Sequence, residues 1–196
     1  MGYSQAQKAE SRQRVLETAS RQIREHGIEA LGVADCMRSA GLTHGAFYGH
    51  FSSRDALILE ALEHAVRQSE KRLASHPTEP GKRTETPLQS IAEAFLSERH
   101  VKNPGSGCAL CALAGEARHA NPDVRERLTG YVRKLESRIA RATSNASGHS
   151  ALGIVATIVG AITLARAVDD DELAKSILSA SLALVMTQDA VGAVAR

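Results

Sequence analysis

The sequence predicts an all-α protein of about nine helices. Three observations carry that prediction. Apolar residues recur at helical spacing along most of the chain, as in Val15, Ala19 and Ile23 with Leu16 beside them. No stretch alternates β-branched and polar residues as a half-buried strand would. Helix-starting and helix-stopping residues bracket the periodic stretches.

Taken in order, the first helix is expected over Lys8–His26, with Gly27 as its stop. A short helix follows from Gly32 to Ala40 and is closed by Gly41. Thr43 is a good N-cap for a second short helix, His44–His50. Ser52-Ser53-Arg54-Asp55 reads as a capping box opening a long helix to about Ser75. HPTEPGKRTETP, from His76 to Pro87, is the clearest break, being polar and holding three prolines and a glycine. Thr86-Pro87 restarts a helix with N-cap and N1 chemistry, running to about His100. KNPGSG is a loop, CALCALAGEARHA is helical, and Asn121-Pro122-Asp123 caps a helix to about Thr143. After the SNASGH loop come Ala151–Val168 and Asp171–Gln188, joined by an aspartate-rich turn. The domain boundary is placed at 76: residues 1–52 form a head, helix 53–75 connects, and 76–196 form a larger helical domain.

Composition excludes some classes. With 196 residues, 43% hydrophobic and 23% charged, the chain reads as an ordinary globular protein. Its net charge of +2 says little about partners. The polar N-terminal stretch MGYSQAQKAESRQR offers no secretory apolar region. Ala151–Ala165 is uncharged but short for a bilayer span, so it reads as a buried helix and no membrane is expected. Three cysteines, Cys36, Cys108 and Cys111, form no disulfide framework and fit a reducing, cytoplasmic setting.

The functional signal lies in GLTHGAFYGHF, residues 41–51. Phe47, Tyr48 and Phe51 are half of the six aromatic residues in the chain. Two short helices separated by Gly41 and flanked by longer ones match a helix-turn-helix. Val33, Cys36, Met37, Ala40, Phe47 and Phe51 would form its inside. The second short helix would then expose Thr43, His44, Gly45, Ala46, Tyr48 and His50, a surface suited to the DNA major groove. Spacing alone leaves open a small helical bundle with an aromatic core.

The stretch GVADCMRSAGLTHGAFYGHFSSRDAL closely resembles the DNA-binding region of tetracycline-repressor-like (TetR) transcriptional regulators. The resemblance rests on Ala40-Gly41, Thr43, Tyr48, His50-Phe51 and Arg54-Asp55-Ala56-Leu57, and it extends upstream to cover roughly residues 8–60. It implies that Thr43, Tyr48 and His50 contact the DNA backbone, with His44 and Gly45 facing the groove. It also implies that Arg54 touches phosphate, as do Ser11 and Arg12 at the start of the first helix. Gly32 stands where the family usually has Thr or Ser as a cap, and glycine caps adequately.

For the C-terminal part the resemblance implies a ligand-binding and dimerisation domain. The residues support this independently: Ala151–Val168 and Leu173–Met186 are apolar on most of their faces and need cover. Symmetry mates in a four-helix interface would supply it, and so would the monomer's own core. Cys108 and Cys111 share one helix face. They read as core residues, as a thiol sensor, or as metal ligands with His100 or His119. Candidate effector-pocket residues are Phe95, Cys108, Cys111, Leu113, Tyr131 and Ile158, each also a natural core residue. Glu98, Glu116 and His119 could be drawn together as acid and base, but no spacing or Gly-rich loop supports an enzyme.

The resulting expectation is a cytoplasmic, homodimeric DNA-binding regulator, most simply a repressor. It would bind double-stranded operator DNA and be released by a small-molecule or thiol-reactive effector, with no cofactor and no metal. The alternative is a helical small-molecule-binding protein or enzyme that does not bind DNA.

Overall fold

The first helix begins earlier than its apolar stripe. Ser4 accepts from the Gln7 amide at 3.2 Å while the Gln7 side chain accepts from the Ser4 amide at 2.9 Å, a reciprocal capping box. This fixes α1 as Gln5–His26. The computed structural model describes residues 4–74, 86–143 and 148–194. Among these it contains nine α-helices, two 3-10 helices and no strand, so the all-α reading stands. Most of the expected linker at 76–87, and the 144–147 part of the SNASGH loop, lie outside the described residues.

Inter-residue contacts divide the chain into two compact units. Unit 1 comprises residues 1–69 and 104–128, and unit 2 comprises 70–103 and 129–196. The segment 104–128, which the sequence reading assigned to the second domain, thus groups with the N-terminal helices.

In unit 1, α1 packs on α2 (Val33–Ser39), on a 3-10 turn at Pro104–Ser106 and on α6 (Ala109–Leu113). Val15, Leu16, Ala19 and Ile23 are buried on one side of α1. The first part of α3 (Arg54–Ala74) buries Leu57, Ile58, Ala61, Leu62 and Ala65, again at helical spacing. Each such Leu or Ile contributes about 1.5–3 kcal/mol of burial. Two long-range polar links tie 104–128 to α1. Arg24, 4% exposed, donates to the carbonyls of Ser20 (2.8 Å) and Gly107 (3.0 Å) and to Gln68 Oε1 (2.7 Å). Its buried charge is therefore fully engaged, which burial requires. Glu116 accepts from the Ile28 amide just beyond the end of α1.

In unit 2, α8 (Gly148–Ala167) and α9 (Asp171–Val194) pack on each other and on α4 (Pro87–Phe95), and α8 also meets α5 (Glu98–Lys102). Thr86 caps α4 as expected, accepting from the Gln89 amide. The single helix expected over 87–100 is instead two, because Leu96 leaves helical geometry and Ser97 caps anew by accepting from the His100 amide. The helix expected at 108–120 shrinks to α6, followed by turns. The helix opened by Asn121, whose side chain accepts from the Asp123 amide, is α7 (Pro122–Ala142). Ser150–Ala167 is long and apolar enough to cross a bilayer, longer than the uncharged run suggested. In this fold it packs against three other helices.

Candidate nucleic-acid interface

The turn after α2 is made by Gly41, whose φ of +74° is a conformation that L side chains rarely adopt. Leu42 N–H donates back to Met37 at 2.9 Å, closing the helix end. The chain then enters a six-residue 3-10 helix, His44–Gly49, in place of the α-helix expected over 44–50. Two glycines in six residues weaken any α-helical preference.

Phe47 and Phe51 are buried and stack with ring centroids 5.9 Å apart, beside the buried Cys36, Met37 and Ala40; Val33 is half-buried. The expected inside of the head is therefore its inside. Cys36 is fully enclosed, and burial pushes its thiol pKa up to about 11, so it stays protonated.

With the two phenylalanines turned in, the opposite face is presented outward. Tyr48 is 74% exposed, its ring edge-on to Phe47 at 5.2 Å. Thr43, His44 and Gly45 are exposed and Ala46 is half-buried. Thr43 has N-cap backbone geometry but its hydroxyl makes no capping bond, contrary to the expected cap. A Cβ at Gly45 would meet no atom of the protein, so that backbone stands open.

His50 is half-buried, and among the described residues its Nδ1 is buried without a hydrogen-bond partner. Burial first, then the positive charges of Lys8 and Arg12, hold its pKa below the usual imidazole range. Lys8 is exposed and lies one turn before Arg12 on α1.

Three residues expected at phosphate are engaged inside the head. Ser11 is buried, its hydroxyl accepting from Arg14. Arg12 pairs with Glu60, donates to the His50 carbonyl and lies over the Phe51 ring, 4.7 Å from its centroid. Arg54 donates to the carbonyls of Leu31 (2.9 Å), Ile28 (2.9 Å) and Glu29 (3.0 Å), bracing the loop between α1 and α2. Arg12 and Arg54 thus each make several contacts within the head.

The segment 15–61 matches the family model described as bacterial regulatory proteins, tetR family. That match takes in α1, α2, the 3-10 helix and the start of α3. A 60-residue stretch, 31% of this chain, is 33% identical to an uncharacterized HTH-type transcriptional regulator, YerO, of Bacillus subtilis (strain 168). That match spans about a fifth of the relative's length, 21%. The whole fold is similar to a TetR transcriptional regulator from Chloroflexus aurantiacus, at TM-score 0.74 and 24% identity, covering 93% of this chain and 95% of that one. It is also similar to the reduced form of E. coli NemR (TM-score 0.72, 19% identity, 89% and 94% covered). A third similar structure is the TetR-family regulator SCO4454 of Streptomyces coelicolor (0.71, 22%, 92% and 96%).

The six candidate effector-pocket residues are all buried. Cys108, Cys111 and Leu113 belong to unit 1, whereas Phe95, Tyr131 and Ile158 belong to unit 2. Glu116, weighed above as an acid or base, is the acceptor for the Ile28 amide.

Proposed function

We propose that this protein is a TetR-family, sequence-specific DNA-binding transcriptional regulator acting on double-stranded operator DNA. The observation that carries the reading is the outward face of the 3-10 helix: Thr43, His44, Gly45 and Tyr48 stand exposed while Phe47 and Phe51 lock the helix from behind. Tyr48 and Thr43 hydroxyls donate to phosphates, His44 meets base edges, and the open Gly45 backbone permits close approach. Ala46 lines the same face, His50 orders its end, and Lys8 adds a phosphate contact.

The regulator works as a homodimer in the cytoplasm, without enzymatic activity. One short reading helix contacts few bases, and two half-sites double the readout. The dimer reading draws on the apolar residues that α8 and α9 leave exposed, Leu152, Leu164, Leu173 and Leu184, which a symmetry mate would cover.

Regulation is repression relieved by an effector that prefers the non-binding arrangement of the two heads. The effector is a small molecule or a thiol-reactive compound. The thiols of Cys108 and Cys111 are nearly covered, so modification there requires local opening of α6. A gel-shift with the protein's own upstream DNA tests the reading. A retarded, sequence-dependent band supports it, and its absence favours a helical binding protein that does not touch DNA.

A further inference from the structure

Unit 2 contains an open groove of about 380 Å³ between the end of α3 and the C-terminal half of α7. Leu73, Tyr131 and Leu135 give it an apolar floor. Its rim is cationic: Arg133, Lys134, Arg138 and Arg141 all border it, against one carboxylate, Glu70. Glu70 pairs with Lys134 at 3.2 Å. Among the described residues, Arg133, Arg138 and Arg141 have no ion-pair partner.

The pattern is unusual for a solvated helix face. The cation at Lys134 on the same helix is matched to an acid, and a mixed surface normally intersperses both signs. Arg138 and Arg141 gain from the C-terminal end of the α7 dipole, but Arg133 lies more than two turns from that end. Like charges crowded on one helix face raise the energy of each. An external anion relieves that repulsion, and guanidinium groups bind carboxylates through two parallel hydrogen bonds. The size fits as well, since small-molecule sites run from about 300 to 1,000 Å³ and combine apolar lining with a few convergent polar groups.

We propose that this groove binds an amphiphilic organic anion: a carboxylate held by Arg138 and Arg141, with an alkyl or aryl body laid over Leu73, Tyr131 and Leu135. The proposal deepens the small-molecule effector reading above and rests on it for its regulatory meaning.

Isothermal titration calorimetry of the full chain with octanoate tests it, with 1-octanol (the chain without charge) and inorganic phosphate (charge without the chain) as comparisons. Saturable binding of one octanoate per chain is expected, at least tenfold tighter than either comparison. The triple variant Arg133→Gln, Arg138→Gln, Arg141→Gln should weaken it at least tenfold while keeping the wild-type circular dichroism spectrum. These side chains lie at the rim, so folding is expected to survive; Arg138→Lys alone should weaken binding less than Arg138→Gln. No saturable octanoate binding, or equal binding by the folded triple variant, overturns the groove. Calorimetry needs no DNA, so failure of the DNA-binding reading leaves this result standing, and absence of octanoate binding leaves the DNA-binding reading untouched.

Discussion

Glu116 accepts a hydrogen bond from the Ile28 amide at 2.8 Å, across 88 residues of sequence. The carboxylate sits over Gly27, whose φ is +91° and where a Cβ would lie 2.6 Å from Glu116 Oε1. The glycine that ends α1 is thus required twice, by its backbone angle and by the carboxylate above it. Glu116→Ala removes the acceptor for a part-buried amide and should cost about 1–3 kcal/mol. Glu116→Gln retains an acceptor oxygen and should recover most of that loss. Urea unfolding of the three proteins measures it; equal midpoints for wild type and Glu116→Ala would remove the link.

Arg54 decides between a strut and a phosphate ligand. Its three carbonyl bonds predict that Arg54→Met destabilises the protein by about 2 kcal/mol. They also predict an unchanged salt dependence of DNA binding. A lost phosphate contact would instead flatten the plot of log affinity against log salt by about 0.9 per protomer.

His100 gives a pH signature. Its Nδ1–H donates to the Phe95 carbonyl at 2.8 Å, its ring meets Phe95 edge-on, and Arg166 binds the His100 carbonyl. Burial, opposed in part by the Phe95 bond and joined by Arg166 and Arg72, brings its pKa down to about 4. Above pH 6.5 the ring is neutral folded or unfolded, and it adds no pH dependence. Below pH 6.5 the unfolded chain takes up a proton that the folded one refuses until about pH 4. Stability therefore falls as pH drops through that window, by about 2 kcal/mol between pH 7 and pH 5. His100→Gln keeps a donor for Phe95 and should remove that part of the slope. Identical slopes for the two proteins would contradict the assignment.

The exposed leucines of α8 and α9 predict the assembly. Leu164 is 58% exposed and Leu184 51%, so charge there costs the isolated fold little. Sedimentation should show wild type at twice the 20.9 kDa chain mass, and Leu164→Glu/Leu184→Glu at the single chain mass with unchanged helicity. A wild-type monomer would leave the apolar face to another partner.

Much of the head was legible in the sequence because its signals are local. Gly41 needs only its own backbone angle, and Phe47 and Phe51 need only helical spacing to turn inward together. What escaped was long-range and polar. Arg24 reaches Gly107 across 83 residues, and Arg54 reaches Ile28 across 26. Nothing in their neighbourhoods marks a charged side chain as bound to distant backbone. For the same reason the contacts of Arg12 with Glu60 and of Arg54 with the 28–31 loop carry no local mark in the sequence. The break at Leu96 was missed because an apolar periodicity outlasted the helix that carried it, and Ser97 was the only local warning.

The central claim is that the outward face of the 3-10 helix reads DNA. A quantitative gel-shift on operator DNA with Tyr48→Ala and Thr43→Ala measures it most directly, because both residues are exposed and their loss leaves the core intact. The account predicts that each variant binds at least tenfold more weakly, with unchanged thermal stability and an unchanged oligomeric state. Wild-type affinity in both variants would contradict it.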